Sequence, residues 1–460
     1  MQLTRVTYYP SSHRDPSGFI FEKDNTVYRQ VNAVFKDHFD HFINSGCYEH
    51  LQKKRLVIGH QPLKENLLDS PDCYAILKPE KIDFISYAYE WSFEMLQDAA
   101  LLTLQLVNEC LPFGVILKDA TPYNVQWCQG RPIFIDTLSF EKYDPSVPWI
   151  AYRQFCESFL APLLIMHYTN QPLQSLMLAF PEGIPLSVAK SLLPWRSHFS
   201  FHTYLHIHLH ERFAARTTQK TAIKTNNFSQ KKLQHLIDSL HSLVESLQWK
   251  GVSKAWENYY EEAGKRSDYL SQKVDIIMNW VNTLPEIRSA VDLGANEGEF
   301  SLLLAKKNIK VISTDFEHAL INNLYRHIKK TGENHILPLI IDVANPSPSI
   351  GLNNTERRSF IERTKVDLCL SLALIHHLCI GKNMPLASIA DLFTSITQYL
   401  IIEFIPKHDE KVQYMLRQKK DIYRDYTLEN FAEIFDKYFS IIDSKAVPGT
   451  ERILFLMKKR

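Results

Sequence analysis

The chain has 460 residues, 45% of them hydrophobic and 22% charged, so it holds enough apolar area for more than one packed core. Its 52 Lys and Arg against 51 Asp and Glu leave a net charge of +1, which excludes a global basic field of the kind that binds polyanions. No run approaches the roughly 18 apolar residues of a membrane span, since the richest stretch, from Trp149 to Met166, is broken by Arg153 and Glu157. The N-terminal residues lack the apolar core of a secretory signal, and seven scattered cysteines show no CxxC spacing. A reduced, cytoplasmic protein without a structural metal site is expected.

Taken in chain order, Ser17 to Phe21 and Val27 to Val31 predict an early hairpin, and Ile82 to Trp91 a further strand. A short apolar run then leads into Leu117-Lys118-Asp119 and, five residues after Asp119, Asn124; a second run after the turn at Gln129 to Pro132 ends in Asp136. Phosphoryl transfer needs one carboxylate at the acceptor hydroxyl, and an Asn with a second Asp to hold magnesium, which this spacing supplies. The segment resembles the catalytic loop of the protein-kinase-like superfamily, and that resemblance implies an α+β module with a site at Asp119, Asn124 and Asp136 for magnesium with a nucleotide. It is a degenerate match: Thr137-Leu138 stands where Phe-Gly is usual, no glycine-rich loop precedes it, and Arg29 or Lys36 must replace the phosphate-binding lysine.

His206, His208 and His210 are spaced by two and share one face if the run is a strand; a packed or solvated surface is the better reading than metal binding, for want of a fourth ligand. The polar run 216–232 reads as a linker after a first domain at 1–215. Apolar residues at 233, 236, 237, 240, 243, 244 and 247 then form one face of a helix, which opens a helical lead-in at 233–288. Trp256, Tyr259, Tyr260 and Tyr269 in that lead-in either fold over a ligand or pack in the core.

From Ser289 onward, short β-rich runs alternate with helical patterns, and the last two runs are separated only by Pro448 to Glu451. This predicts an α/β domain at 289–460: a parallel sheet with helices on both faces, closed by an antiparallel hairpin. In Asp292-Leu-Gly294-Ala-Asn296-Glu-Gly298 a β-run turns into a helix through glycines that let the backbone approach a ligand. The spacing differs from the dinucleotide fingerprint, which argues against a pyrophosphate cradle. About twenty residues on, Asp315 ends the next strand, where a carboxylate can accept from both hydroxyls of a ribose, and Asp342 follows the third.

These residues together resemble a class I S-adenosylmethionine-dependent methyltransferase with a Rossmann-like sheet. The resemblance implies that Asp292, Gly294, Asn296, Gly298, Asp315 and Asp342 bind the cofactor, with Asp315 on the ribose and Asp342 facing the adenine. His376 and His377 lie where such enzymes place the nucleophile, and a neutral imidazole there can take its proton. The polar cluster Glu403 to Asp409 either contacts substrate or forms a solvated loop. Over nearly the whole chain, Leu117 to Trp127, Arg131 to Phe140, Leu205 to Glu211, Ile402 to Gln413 and Asp421 to Thr427 are similar to the NoeA-like nodulation proteins. The function implied is methyl transfer to a hydroxyl, amine or carbon of a small-molecule or glycan-like acceptor. A scaffold with two degenerate modules is the rival, and a tRNA-modifying enzyme another, against which the missing basic stripe speaks. The acceptor and the oligomeric state are not encoded legibly.

Overall fold

The computed structural model describes residues 6–12, 14–212, 229–251, 267–417 and 419–460. The chain divides into two units: Met1–Gly251 with Ile350–Arg357, and Val252–Ser349 with Arg358–Arg460. Most of the expected linker, and Trp256, Tyr259 and Tyr260, lie outside the described residues.

The first unit opens with five strands, β1 (Val6–Tyr8), β2 (Gly18–Lys23), β3 (Thr26–Asn32), β4 (His60–Leu63) and β5 (Cys73–Pro79). They form one antiparallel sheet in the order β1-β2-β3-β5-β4. The expected hairpin is β2–β3, and Asp24 and Asn25 take the left-handed backbone that a two-residue hairpin turn needs. Ile82 to Trp91, expected as a strand, is irregular and ends in a turn of 3-10 helix at Ala88–Glu90. The reason lies in a side chain: Gln126 accepts from the Ser86 N–H and donates to the Ser86 carbonyl, each at 2.9 Å, doing what a neighbouring strand would do.

The helix Phe93–Cys110 follows, capped by the Ser92 hydroxyl on the Met95 N–H. Then come two small antiparallel pairs, β6 (Val115–Leu117) with β9 (Phe140–Lys142), and β7 (Val125–Cys128) with β8 (Arg131–Phe134). Within the apolar stretch from Trp149 to Met166 the chain is helical from Tyr152 and largely buried from Phe155 onward, whereas Ile150 is exposed, and no described helix is long and apolar enough to cross a membrane.

The boundary differs from the expectation near Lys232. The helix Gln230–Ser246 belongs to the first unit: Gln97 donates to the carbonyls of Val244 and Leu247 at 2.7 and 3.0 Å, and Gln234 to Asn108 at 2.9 Å. Its buried stripe of Leu233, Ile237, Leu240 and Val244 needed a partner, and the helix Phe93–Cys110 supplies one. The histidine run is helical, not a strand: Tyr204–Leu209 is a π-helical turn that buries His206 and His208.

The second unit is Rossmann-like. Its strands are β10 (Ser289–Leu293), β11 (Lys310–Asp315), β12 (Ile336–Ile340), β13 (Val366–Ser371), β14 (Thr397–Phe404), β15 (Phe439–Ala446) and β16 (Ile453–Lys459). They form one sheet in the order β12-β11-β10-β13-β14-β16-β15, parallel except that β16 runs antiparallel to both its neighbours. Helix His318–Thr331 shows how the sequence drives this: Leu320, Ile321, Leu324, Tyr325 and Ile328 make one buried stripe, and Gly332 in left-handed backbone ends it. The core gathers Ile277 and Trp280 from the helix Ser267–Thr283 with Leu304, Leu324, Leu368, Leu370, Ile401 and Leu454. The chain reverses its direction of travel across the sheet between β10 and β13, and crevices for ligands open at such points beyond the carboxyl ends of the strands.

Candidate functional site

The turn after β10 stands at that reversal. Gly294, Asn296 and Gly298 all have left-handed backbone, and the N–H groups of Gly294 and Ala295 both donate to the Thr314 carbonyl at 2.9 and 2.8 Å. The turn is thereby pinned to the end of β11. A Cβ on Gly294 would lie 3.3 Å from the Leu374 side chain, and one on Gly298 would lie 2.8 Å from Leu324. Glycine is required here for conformation and for space alike.

Asp315 closes β11 and is nearly buried. One carboxylate oxygen accepts from the Asn296 N–H at 3.0 Å and the other from the Glu317 N–H at 2.9 Å. The Phe316 N–H bears on the same carboxylate, which keeps acceptor capacity for a further donor. Burial raises this carboxyl above its ordinary value despite those bonds. Asp292 is deeper, accepts from the Ser301 hydroxyl at 2.8 Å, and is pushed by burial up to about 6, with Ser301 and Lys273 acting against the rise. Asp342 is more open: it accepts from the Ala344 N–H at 2.9 Å and meets Lys382 Nζ at 3.3 Å. The three acids thus follow three adjacent strands.

The segment after β13 carries signals that sequence reasoning missed. Ser371 Oγ and His376 Nδ1 are buried without a hydrogen-bond partner, and Ala373 between them has φ +51°. Orphaned polar atoms and strained backbone tend to gather where a ligand completes the bonding. Burial, His377 and Arg452 push His376 well below the usual imidazole range, so it is neutral; burial also lowers His377, whose ring stands 4.1 Å from it.

Glu403, expected at a substrate-facing or solvated position, is fully buried instead. It pairs with Lys273 and accepts from the Tyr269 hydroxyl, both at 2.6 Å. Arg452 donates to Asp409 at 2.8 and 3.2 Å and to the Tyr269 hydroxyl at 3.0 Å. Burial raises the Glu403 carboxyl, but Lys273 and Tyr269 outweigh it and hold the group below its ordinary value. Tyr269 therefore serves a charge network, and Lys273 and Arg452 had no local signal to mark them.

In the first unit, Asn124 and Asp136 are joined through Ser139, whose hydroxyl donates to Asp136 while accepting from the Asn124 amide at 3.0 Å. Arg29, from β3, makes an ion pair with Asp136. Lys36 instead lies over the Tyr74 ring at 5.3 Å. Burial raises Asp136, and Arg29 with Ser139 brings it below the ordinary range. Asp119 is pushed up to about 6 by burial and by the charge of Asp136, which places the two acids in one electrostatic neighbourhood. Lys118 reaches Asp15 at 3.2 Å and Ser17 at 2.9 Å. No group of three or more metal-ligating side chains converges among the described residues.

The chain is similar to the nodulation protein NoeA of Rhizobium meliloti (strain 1021), with 32% identity over 462 residues, 97% of this chain and 95% of that one. No family model matches it. Among solved structures it is similar to the bifunctional kinase-methyltransferase WbdD at 16% identity, with a TM-score of 0.30 over 47% of this chain and 45% of that one. It is also similar to magnesium protoporphyrin IX methyltransferase (ChlM) from Synechocystis PCC 6803 with bound SAH, at 17% identity and a TM-score of 0.31 over 44% of this chain and 96% of that one.

Proposed function

We propose that this chain, which belongs to the family of the nodulation protein NoeA, is a methyltransferase that uses S-adenosylmethionine and methylates a hydroxyl, amine or carbon of a small-molecule or glycan-like acceptor. One observation carries the reading: a glycine turn in left-handed backbone at the reversal point of the sheet, beside a buried acid that no cation pairs with among the described residues and that retains acceptor capacity.

The residues fit the cofactor. Asp315 would receive the two ribose hydroxyls on its remaining lone pairs, Asp342 would accept from the adenine amino group, and the absent Cβ of Gly294 leaves room for the close approach. When bound, the cofactor supplies a methyl group on a positively charged sulfur. Alignment of that methyl with the acceptor is the main contribution of the crevice. His376, buried and held well below the usual imidazole range, is neutral, and it or the neighbouring His377 is the side chain that can take the acceptor's proton.

Calorimetry with S-adenosylmethionine and its demethylated product tests the reading directly. Binding by the wild type and its loss in Gly294→Val, with an unchanged circular-dichroism spectrum, is the expected outcome. No binding by the wild type removes the methyltransferase reading and leaves the scaffold alternative. A tRNA acceptor is disfavoured by the near-zero net charge.

A second reading concerns the first unit, where Ser139 joins Asn124 to Asp136 and the charge of Asp136 bears on Asp119, and it is supported by these being the residue types that phosphoryl transfer uses. Magnesium with a nucleotide must displace Arg29 from Asp136 to bind there. ATP should then raise the melting temperature only when magnesium is present, and the absence of any shift removes this reading.

A further inference from the structure

The stretch from Trp195 to His208 in the first unit inverts the usual partition of polar and apolar side chains. Ser197, Thr203 and His206 are fully buried and His208 nearly so, while Trp195 is 75% exposed, Phe199 75%, Phe201 71% and Tyr204 36%. The inversion is built from inside. Ser197 Oγ and His208 Nε2 share a hydrogen bond of 2.9 Å; His206 bonds the Tyr152 hydroxyl through Nδ1 at 2.8 Å and Ser239 Oγ through Nε2 at 2.9 Å. His202 Nδ1 meets the same serine at 2.8 Å. Buried polar groups are costly to leave unpaired, so these bonds fix which face points inward and thereby commit the rings to the outside.

The rings stand close together. Trp195 and Phe199 meet edge to face at 5.1 Å on the 3-10 turn Trp195–Phe199, and Phe201 opens the next helical turn. From Ile184 to His210 the sequence contains no Asp or Glu, and its charged residues are Lys190 and Arg196. Lys190 pairs with Glu211 at 2.8 Å. Arg196 is exposed, packs over the Tyr168 ring at 5.9 Å, donates to the Tyr168 carbonyl through Nη2, and is not neutralised by a carboxylate among the described residues. Soluble surfaces seldom gather large rings at such exposure without an occupant.

We propose that Trp195, Phe199 and Phe201, with Arg196, form a contact surface for an anionic lipid bilayer. Trp and Phe suit the boundary between headgroups and acyl chains, where a ring is half in hydrocarbon, and a guanidinium among them meets lipid phosphate in a bidentate way. Three rings and one charge make a reversible, salt-sensitive contact.

The test is flotation of the full chain with vesicles of pure phosphatidylcholine and with equimolar phosphatidylcholine and phosphatidylglycerol, at low and high salt. The wild type should float with the anionic vesicles, less with the neutral ones, and less at high salt. Each ring replaced by serine should weaken flotation by roughly tenfold, and Arg196→Gln should remove the preference for anionic lipid. Because these side chains are exposed, circular dichroism and melting of Trp195→Ser, Phe199→Ser and Phe201→Ser should match the wild type; should the triple variant misfold, the single variants carry the test. Failure of the wild type to float with either lipid at low salt overturns the proposal, as does equal flotation by the correctly folded triple variant. Self-association of the wild type that the triple variant loses, without flotation, assigns the rings to a second copy of the chain and also overturns it.

Discussion

The acid clusters of the two units differ in what has already been satisfied. In the first unit Asp136 is surrounded: Arg29 neutralises it, Ser139 donates to it, and the Leu138 N–H donates as well. In the second, Asp315 has backbone donors only, and no cation pairs with it among the described residues. Asp315 is buried and Asp136 mostly so, yet Asp136 is held below its ordinary value and Asp315 above it. The lesson is that a buried carboxylate with its own cation is a completed structural element until something displaces the cation. One with unfilled acceptor positions and no cation is prepared for a ligand that brings hydroxyl or amino donors.

The second unit also contains a completed element, and disrupting it should have the largest effect on stability. Lys273→Met leaves Glu403 buried without its cation and should cost about 3–5 kcal/mol in urea unfolding, whereas Lys273→Met combined with Glu403→Leu should recover most of that loss. A double variant as unstable as the single one would show that the network does more than neutralise charge.

Next comes Asp292, whose folded-state carboxyl lies near 6. The fold therefore holds this proton more tightly than the unfolded chain does, and stability is lost as pH rises from about 4 to about 6. Ionised Asp292 costs about 3 kcal/mol above that window. Asp292→Asn should flatten this part of the wild-type slope, read from urea unfolding at several pH values. Asp136 and Glu403 behave in the opposite sense: both are held below the ordinary value, so their contribution is present above pH about 4 and fades as pH falls further.

Smaller is the effect expected at Asp315. Asp315→Ala removes the acid proposed to accept two ribose hydroxyls and should weaken S-adenosylmethionine binding by about 1.5–3 kcal/mol in calorimetry. Unchanged affinity would remove Asp315 from the site and with it the contrast drawn against Asp136. Smallest is Gln97→Ala, which takes away two bonds to the end of helix Gln230–Ser246 and should cost about 1 kcal/mol, felt in the unfolding of the first unit.

Much of this protein is legible from local sequence. The alternation of β-rich runs with helical stripes from Ser289 onward, the glycine turn and the acids at the strand ends all depend on periodicity and turn chemistry within a few residues. The short hairpin between Asn124 and Asp136 was likewise readable, since a turn of this kind brings its two ends together whatever else the chain does.

What the sequence determined alone was therefore the set of elements and the placing of acids at their ends. Tertiary structure decided which of those acids remained available. Arg29 reaches Asp136 from 107 residues away and Lys273 reaches Glu403 from 130, and no local pattern pairs them. The amphipathic stripe of Gln230–Ser246 states that the helix must be covered, yet only the packed chain shows that helix Phe93–Cys110 covers it. The outward rings of Trp195 to Phe201 depend in the same way on Tyr152 and Ser239, whose hydroxyls hold the neighbouring histidines inside. Periodicity sets the shape of an element, whereas charge pairing and the satisfaction of buried polar groups depend on residues that meet only once the chain has folded.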